Sequence, residues 1–119
     1  MSVPPIVDFR EPVEPDVSMP AADRVLAGSP RTTVRNHYAD ASSQFFAGTW
    51  SSTVGKWRVS YTEHEFCHLL EGRVVLTADD GREWRFGPGD AWVIPAGFSG
   101  TWETVEPATK RYAIFEKAG

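Results

Sequence analysis

Tyr61, Glu63, Glu65 and Cys67 form the most chemically loaded stretch of this 119-residue sequence. Residues two apart on a strand point to the same face. An extended segment here therefore presents a phenol, two carboxylates and a thiol side by side. Trp57 shares that parity, and the phasing of a later strand brings Trp102 to the same place. A carboxylate among aromatic rings has its charged form disfavoured and can act as a general acid or base. Glu65 is the candidate for that role, and Tyr61 offers a hydroxyl that would orient a substrate. Trp57, Glu63, Cys67, Trp102 and Tyr112 are the candidate ligand-binding residues, because aromatic walls with a few polar groups are what small-molecule sites are made of. Against a reactive thiol, a buried cysteine is more often an inert small hydrophobe. His64 and His68 also have the wrong parity to activate Cys67. Lys110 and Arg111 read mainly as solvated surface charge, with anion binding as the alternative.

The elements that must position these residues are strands. Trp57, Val59 and Tyr61 alternate with Lys56, Arg58, Ser60 and Thr62, a period of two with one buried face. Strands are expected at 32–38, 45–51, 55–62, 65–70, 73–77, 83–86, 91–94, 100–105 and 111–116. Asp79-Asp80-Gly81 and Gly87-Pro88-Gly89-Asp90 are turns; Pro95-Ala96-Gly97 and Glu106-Pro107-Ala108 are breaks. About nine short strands without a long helix make an all-β sandwich or barrel. An immunoglobulin-like sandwich lacks its cysteine pair here. Residues 1–30 carry Pro4, Pro5, Pro12, Pro15, Pro20 and Pro30, which exclude long helices and central strands. They are expected to form an irregular arm with at most one helical turn before Gly28. Ile6, Val7, Phe9, Val13 and Val17 want burial, so the arm should lie on the barrel or on a partner subunit. The expected organisation is an arm, 1–30, and a single barrel domain, 31–119.

Composition sets the outer limits. A chain of this length buries about two thirds of its unfolded surface, enough for one core. Net charge is −4, from 12 basic and 16 acidic side chains, without the basic cluster that nucleic acid or an anionic membrane requires. Cys67 is the single cysteine, so no intrachain disulfide can form. No apolar run is long enough for a membrane helix, and the first residues have no signal-peptide pattern. A cytoplasmic location is expected.

Two spacings carry a resemblance. Glu65 is followed after six residues by Gly72. Gly89, Pro95 and Gly97 keep the order Gly, five residues, Pro, one residue, Gly. Together they resemble the two motifs of the cupin superfamily, over roughly residues 45–116. More closely, Gly48-Thr49-Trp50, Gly55-Lys56-Trp57, Tyr61-Thr62-Glu63, Glu65-Phe66-Cys67-His68, Gly100-Thr101-Trp102-Glu103 and Lys110-Arg111-Tyr112 are similar to the small single-domain cupins grouped with ureidoglycine aminohydrolase. This is the Cupin_3 group, formerly a domain of unknown function. The resemblance implies a cupin-type double-stranded β-helix, or jelly-roll barrel. It also implies a metal held by three His and one Glu. Of these only Glu65 is present: Val59 and Tyr61, or Arg58 and Ser60, stand at the His-x-His positions and Gly100 at the last. The aminohydrolase's own manganese set of Glu, two His and Gln is not supplied either. No cofactor is expected. A divalent metal would fall to Glu63, Glu65 and Cys67, and such hard and soft ligands combine poorly.

Three functions follow from this reading. The first is a metal-independent cupin that binds a small polar or anionic metabolite, with catalysis left open. The second is a metal-dependent enzyme like ureidoglycine aminohydrolase, acting on a ureido or amide compound. The third is a non-catalytic accessory or sensor protein working through its dimer surface. A homodimer is expected in each case, because edge strands need covering and the arm is available to cross over. Neither nucleic acid nor a membrane is an expected partner.

Overall fold

The computed structural model describes residues 2–118 as one curled sheet of nine antiparallel strands. In chain order these are β1 (Asp16–Ser18), β2 (Val25–Gly28), β3 (Thr32–Ala39), β4 (Phe45–Ser52), β5 (Gly55–Ser60), β6 (His64–Ala78), β7 (Glu83–Phe86), β8 (Ala91–Ile94) and β9 (Ser99–Phe115). A single 3-10 turn, Ala22–Arg24, separates β1 from β2. The fold is the expected cupin jelly roll. No helix among the described residues is long and apolar enough to cross a membrane.

β6 and β9 form the spine and pair along nearly their whole length. The other edge of β9 takes β5 along its first part and β4 along its second. The other edge of β6 takes β8 first and β7 after it. β3 extends β4, β1 extends β3, and β2 extends β5. Each long strand thus serves two halves of the barrel, and its alternating side chains line both. The core is built from Trp57, Cys67, Leu69, Val74, Leu76, Ile94, Trp102 and Ala108.

Two pairs of expected strands prove to be continuous. Segments 65–70 and 73–77 fuse into β6, and 100–105 with 111–116 fuse into β9. Gly72 and Pro107 read as breaks because each is a poor strand residue by itself. They meet in the structure. Register slips between Leu69 and Val74 on β6, where Gly72 has φ 89°. A β-carbon at Gly72 would run into the Pro107 carbonyl oxygen and lie 2.6 Å from Ala108 Cα. Such a bulge bends the strand without ending it and accepts the missing donor of proline. On the far edge of β9, β5 pairs as far as Thr104 and β4 begins at Ala108, so no neighbour needs a bond from Pro107.

The Pro-rich segment contributes β1 and β2, both at sheet ends, where proline-rich chain can pair without being central. β1 lies on β3 and β2 on β5, at opposite ends of the ladder β1-β3-β4-β9-β5-β2. The chain from Ser18 to Val25 therefore crosses the open side of the barrel.

Candidate functional site

Register explains how the interior is furnished. Across the sheet, Glu65 stands between Ile94 and Ile114, with Phe46 beyond. The next inward row is Trp92, Cys67, Tyr112 and Gly48. The one after it runs Leu69, Lys110 and Trp50. Trp57, Trp102 and Leu76 make a further row past the bulge. From these rows Glu65, Ile114, Phe46, Tyr112, Lys110, Trp50, Trp57 and Trp102 line a solvent-open cavity of about 690 Å³, whose outer side is the arm, through Ser18, Met19, Pro20, Ala21 and Arg24.

Six of the seven residues singled out from the sequence line this cavity: Trp57, Tyr61, Glu63, Glu65, Trp102 and Tyr112. The seventh, Cys67, does not. It is fully buried beneath the wall, with its thiol 3.4 Å from Glu65 Oε2. His37 stacks on Phe9 outside. His64 Nδ1 accepts the Ala96 N–H at 3.1 Å. None of the three histidines borders the cavity.

Lys110 is the residue that the sequence reading placed at the surface. Its side chain is only 4% exposed, and Nζ donates to Glu65 Oε2 at 2.7 Å. Nζ also lies 3.5 Å from Cys67 Sγ, 4.6 Å from the centre of the Trp50 ring and 4.4 Å from that of Trp102. Burial alone would drive the ammonium to its neutral form. The Glu65 carboxylate more than reverses this, and the Lys110 pKa is raised. The ammonium is a fixed cation, caged by one carboxylate and two indole faces. The signal for it was parity: Lys110 is two residues before Tyr112 on the same strand, so if one faces inward the other does too. Cys67 lies between the Glu65 and Lys110 rows, and its small side chain leaves space for the pair to close.

The other polar groups follow the same physics. Burial raises the Tyr61 phenol well above its ordinary value, against the pull of Lys110. Burial also pushes the Cys67 thiol up to about 12 and the Tyr112 phenol up to about 12. All three remain protonated at neutral pH, so none is a nucleophile as it stands. Tyr112 donates to Asn36 Oδ1 at 2.7 Å, and Trp102 Nε1 donates to Thr104 at 3.0 Å. Both of the Glu65 contacts fall on Oε2. Oε1 takes no hydrogen bond among the described residues, and it is not one of their buried unpartnered atoms. It therefore reaches the cavity. The Tyr61 hydroxyl stands in the same condition.

At the positions where the resemblance implies histidine stand Val59 and Tyr61, or Arg58 and Ser60, and Gly100 at the last. Gly100 is more than a missing ligand. It is buried between β5 and β6, and a β-carbon there would collide with the Thr77 carbonyl oxygen and come 2.9 Å from Ala78 Cα. Among the described residues no three His, Cys, Asp or Glu side chains converge as a metal group.

A curled jelly roll with an inward Glu65, the bulge at Gly72 and the Gly89–Gly97 turn segment defines a cupin domain. The model of the EutQ-like cupin domain family, Cupin_3, matches residues 39–112, and the chain belongs to that family. It is similar to a Pseudomonas syringae protein of the DUF861 family at 27% identity and a TM-score of 0.79, over 91% of this chain and 46% of that one. The EutQ protein of Clostridium difficile shares 15% identity at a TM-score of 0.65, over 72% of this chain and 63% of that one. A DUF861 protein of Thermotoga maritima shares 33% identity, at a TM-score of 0.53, over 54% of this chain and 73% of that one. The chain thus spans about half the length of the Pseudomonas protein. Among curated proteins none matches it.

Proposed function

We propose that this cupin domain binds a small polar or anionic metabolite inside its barrel without the metal usual in cupins. The observation that carries this reading is the Lys110–Glu65 ion pair, 2.7 Å long, at the wall of a large aromatic cavity. A divalent cation on Glu65 would have to displace the ammonium or sit beside it. Two like charges at such range are strongly unfavourable in a low-dielectric interior. The remaining ligand positions, Val59 and Tyr61 or Arg58 and Ser60, with Gly100, offer no imidazole and at most one hydroxyl, and the Tyr61 phenol is held protonated. The donor set does not fit a transition metal.

The cavity itself favours ligand binding over a purely structural accessory role. A barrel filled by its own side chains would have argued the other way. Glu65 Oε1 and the Tyr61 hydroxyl, open between indole walls, are the few convergent polar groups that orient a small ligand.

The experiment is a thermal-shift screen of metabolites on the full chain, with and without divalent metals, alongside elemental analysis of the purified protein. The expected result is substoichiometric metal and stabilisation by a metabolite that is unchanged by a chelator. Stoichiometric manganese, zinc or iron, with ligand binding abolished by chelation, would overturn the reading in favour of an aminohydrolase-like metalloenzyme.

A further inference from the structure

We infer that the molecule held in this barrel is uncharged and donates an N–H or O–H to Glu65 Oε1, a carboxamide or a polyhydroxyl compound. This rests on the proposal that the cavity binds a metabolite, and it selects among the polar and anionic ligands which that proposal allows.

The charges on the wall cancel. Arg24, Arg58 and Lys110 carry three positive charges; Glu63, Glu65 and Glu116 carry three negative ones. Several are already engaged. Lys110 is closed on Glu65 Oε2, and Glu116 Oε2 accepts the Thr62 hydroxyl at 2.6 Å. Arg24 Nη1 reaches the Arg58 carbonyl oxygen at 3.4 Å. A charged ligand that leaves water for the inner wall, beside the buried Glu65–Lys110 pair, gives up hydration that must be replaced by an opposite charge. Arg24 and Arg58 are exposed to water; for an anion at the inner wall the cation is Lys110, but its ammonium faces Glu65, Cys67 and two indoles. The anion would meet the open Glu65 oxygen beside it. A cation would find that oxygen attractive and the ammonium on its sister oxygen repulsive.

An uncharged donor avoids both conflicts. Glu65 Oε1 accepts its N–H or O–H, and a hydrogen bond to a charged acceptor is stronger than one between neutral groups. Tyr61, whose hydroxyl has no partner among the described residues, can donate to a carbonyl or hydroxyl oxygen. Trp50, Trp57 and Trp102, with ring centres 5.1–6.4 Å apart, supply flat apolar faces for the rest of the molecule.

The test uses two trios similar in shape and differing in charge: D-glucose, D-glucuronate and D-glucosamine, and propionamide, propionate and propylamine. Binding to the full chain is followed by tryptophan fluorescence and by ligand-observed NMR. The expected result is saturable binding of the uncharged member of at least one trio, about tenfold tighter than its charged partners. The trio that responds tells carboxamide from polyol. Glu65→Gln should weaken that binding at least tenfold. Tyr61→Phe, which leaves the ion pair intact, should weaken it several-fold and serves if the first variant folds poorly. Preferred binding of a charged member, or binding unaffected by Tyr61→Phe and Glu65→Gln, would overturn the inference while the cavity reading stands. If no member of either trio binds and the metabolite screen is also blank, both fall.

Discussion

Lys110 Nζ lies 2.7 Å from Glu65 Oε2, with both side chains more than nine-tenths buried. The two residues are 45 positions apart and belong to the two spine strands. Their contact ties the first cupin motif to the end of the last strand. It also places a permanent positive charge beside the motif carboxylate.

Breaking that pair from one side should be costly, because it leaves an uncompensated buried charge. Lys110→Met is expected to lower stability by about 3–5 kcal/mol. Glu65→Gln acts in the same direction. The double variant should recover much of the loss, since no charge is then stranded. Urea unfolding of the four proteins checks this, and additive losses would show that the pair is not coupled.

Alkaline pH should destabilise the fold. The Cys67 thiol rises from its ordinary 9.0 to about 12, and the Tyr112 phenol from 10.0 to about 12, both chiefly through burial. A raised pKa in the folded state favours the protonated form there. The associated stability is full below the unfolded pKa and is lost as pH rises toward the folded one. Melting temperature should hold to about pH 9 and then fall steadily toward 12. By the same argument Cys67 should resist iodoacetamide at pH 8 in the native protein and react promptly once unfolded.

Gly100→Ala should cost at least 1–3 kcal/mol, the usual range for overpacking, because its β-carbon meets backbone that cannot step aside. The triple change Val59→His, Tyr61→His and Gly100→His should therefore fail to create a manganese site. Equilibrium dialysis measures this directly, and tight manganese binding by a folded triple variant would show that the strand yields.

Removing residues 2–21 should open the cavity without unfolding the barrel. The deletion takes β1 and four residues of the cavity wall, Ser18, Met19, Pro20 and Ala21, but none of the buried core cluster. Expected outcomes are retained cooperative unfolding, a melting point lower by several degrees, and red-shifted tryptophan emission as Trp50 and Trp57 meet solvent. Loss of cooperative unfolding would make the arm part of the core.

What the sequence determined by itself is local. Period-two alternation marks which face of each strand turns inward, and parity alone put Trp57, Tyr61, Glu63 and Glu65 on one wall. Motif spacing was enough to identify a cupin, because the turns around Gly89 and Gly97 must adopt positive φ, at 91° and 96°, wherever the chain folds. What only the tertiary structure decided is long-range. Gly72 and Pro107 each look like a strand break until they face one another across a bulge, where each makes the other tolerable. Lys110 looks like a surface charge because lysine is almost never buried unpaired. Its partner is 45 residues away, and only the pairing of β6 with β9 brings the two together. Position 100 lacks a ligand in the sequence, but only the packing of β9 between β5 and β6 shows that no side chain fits there.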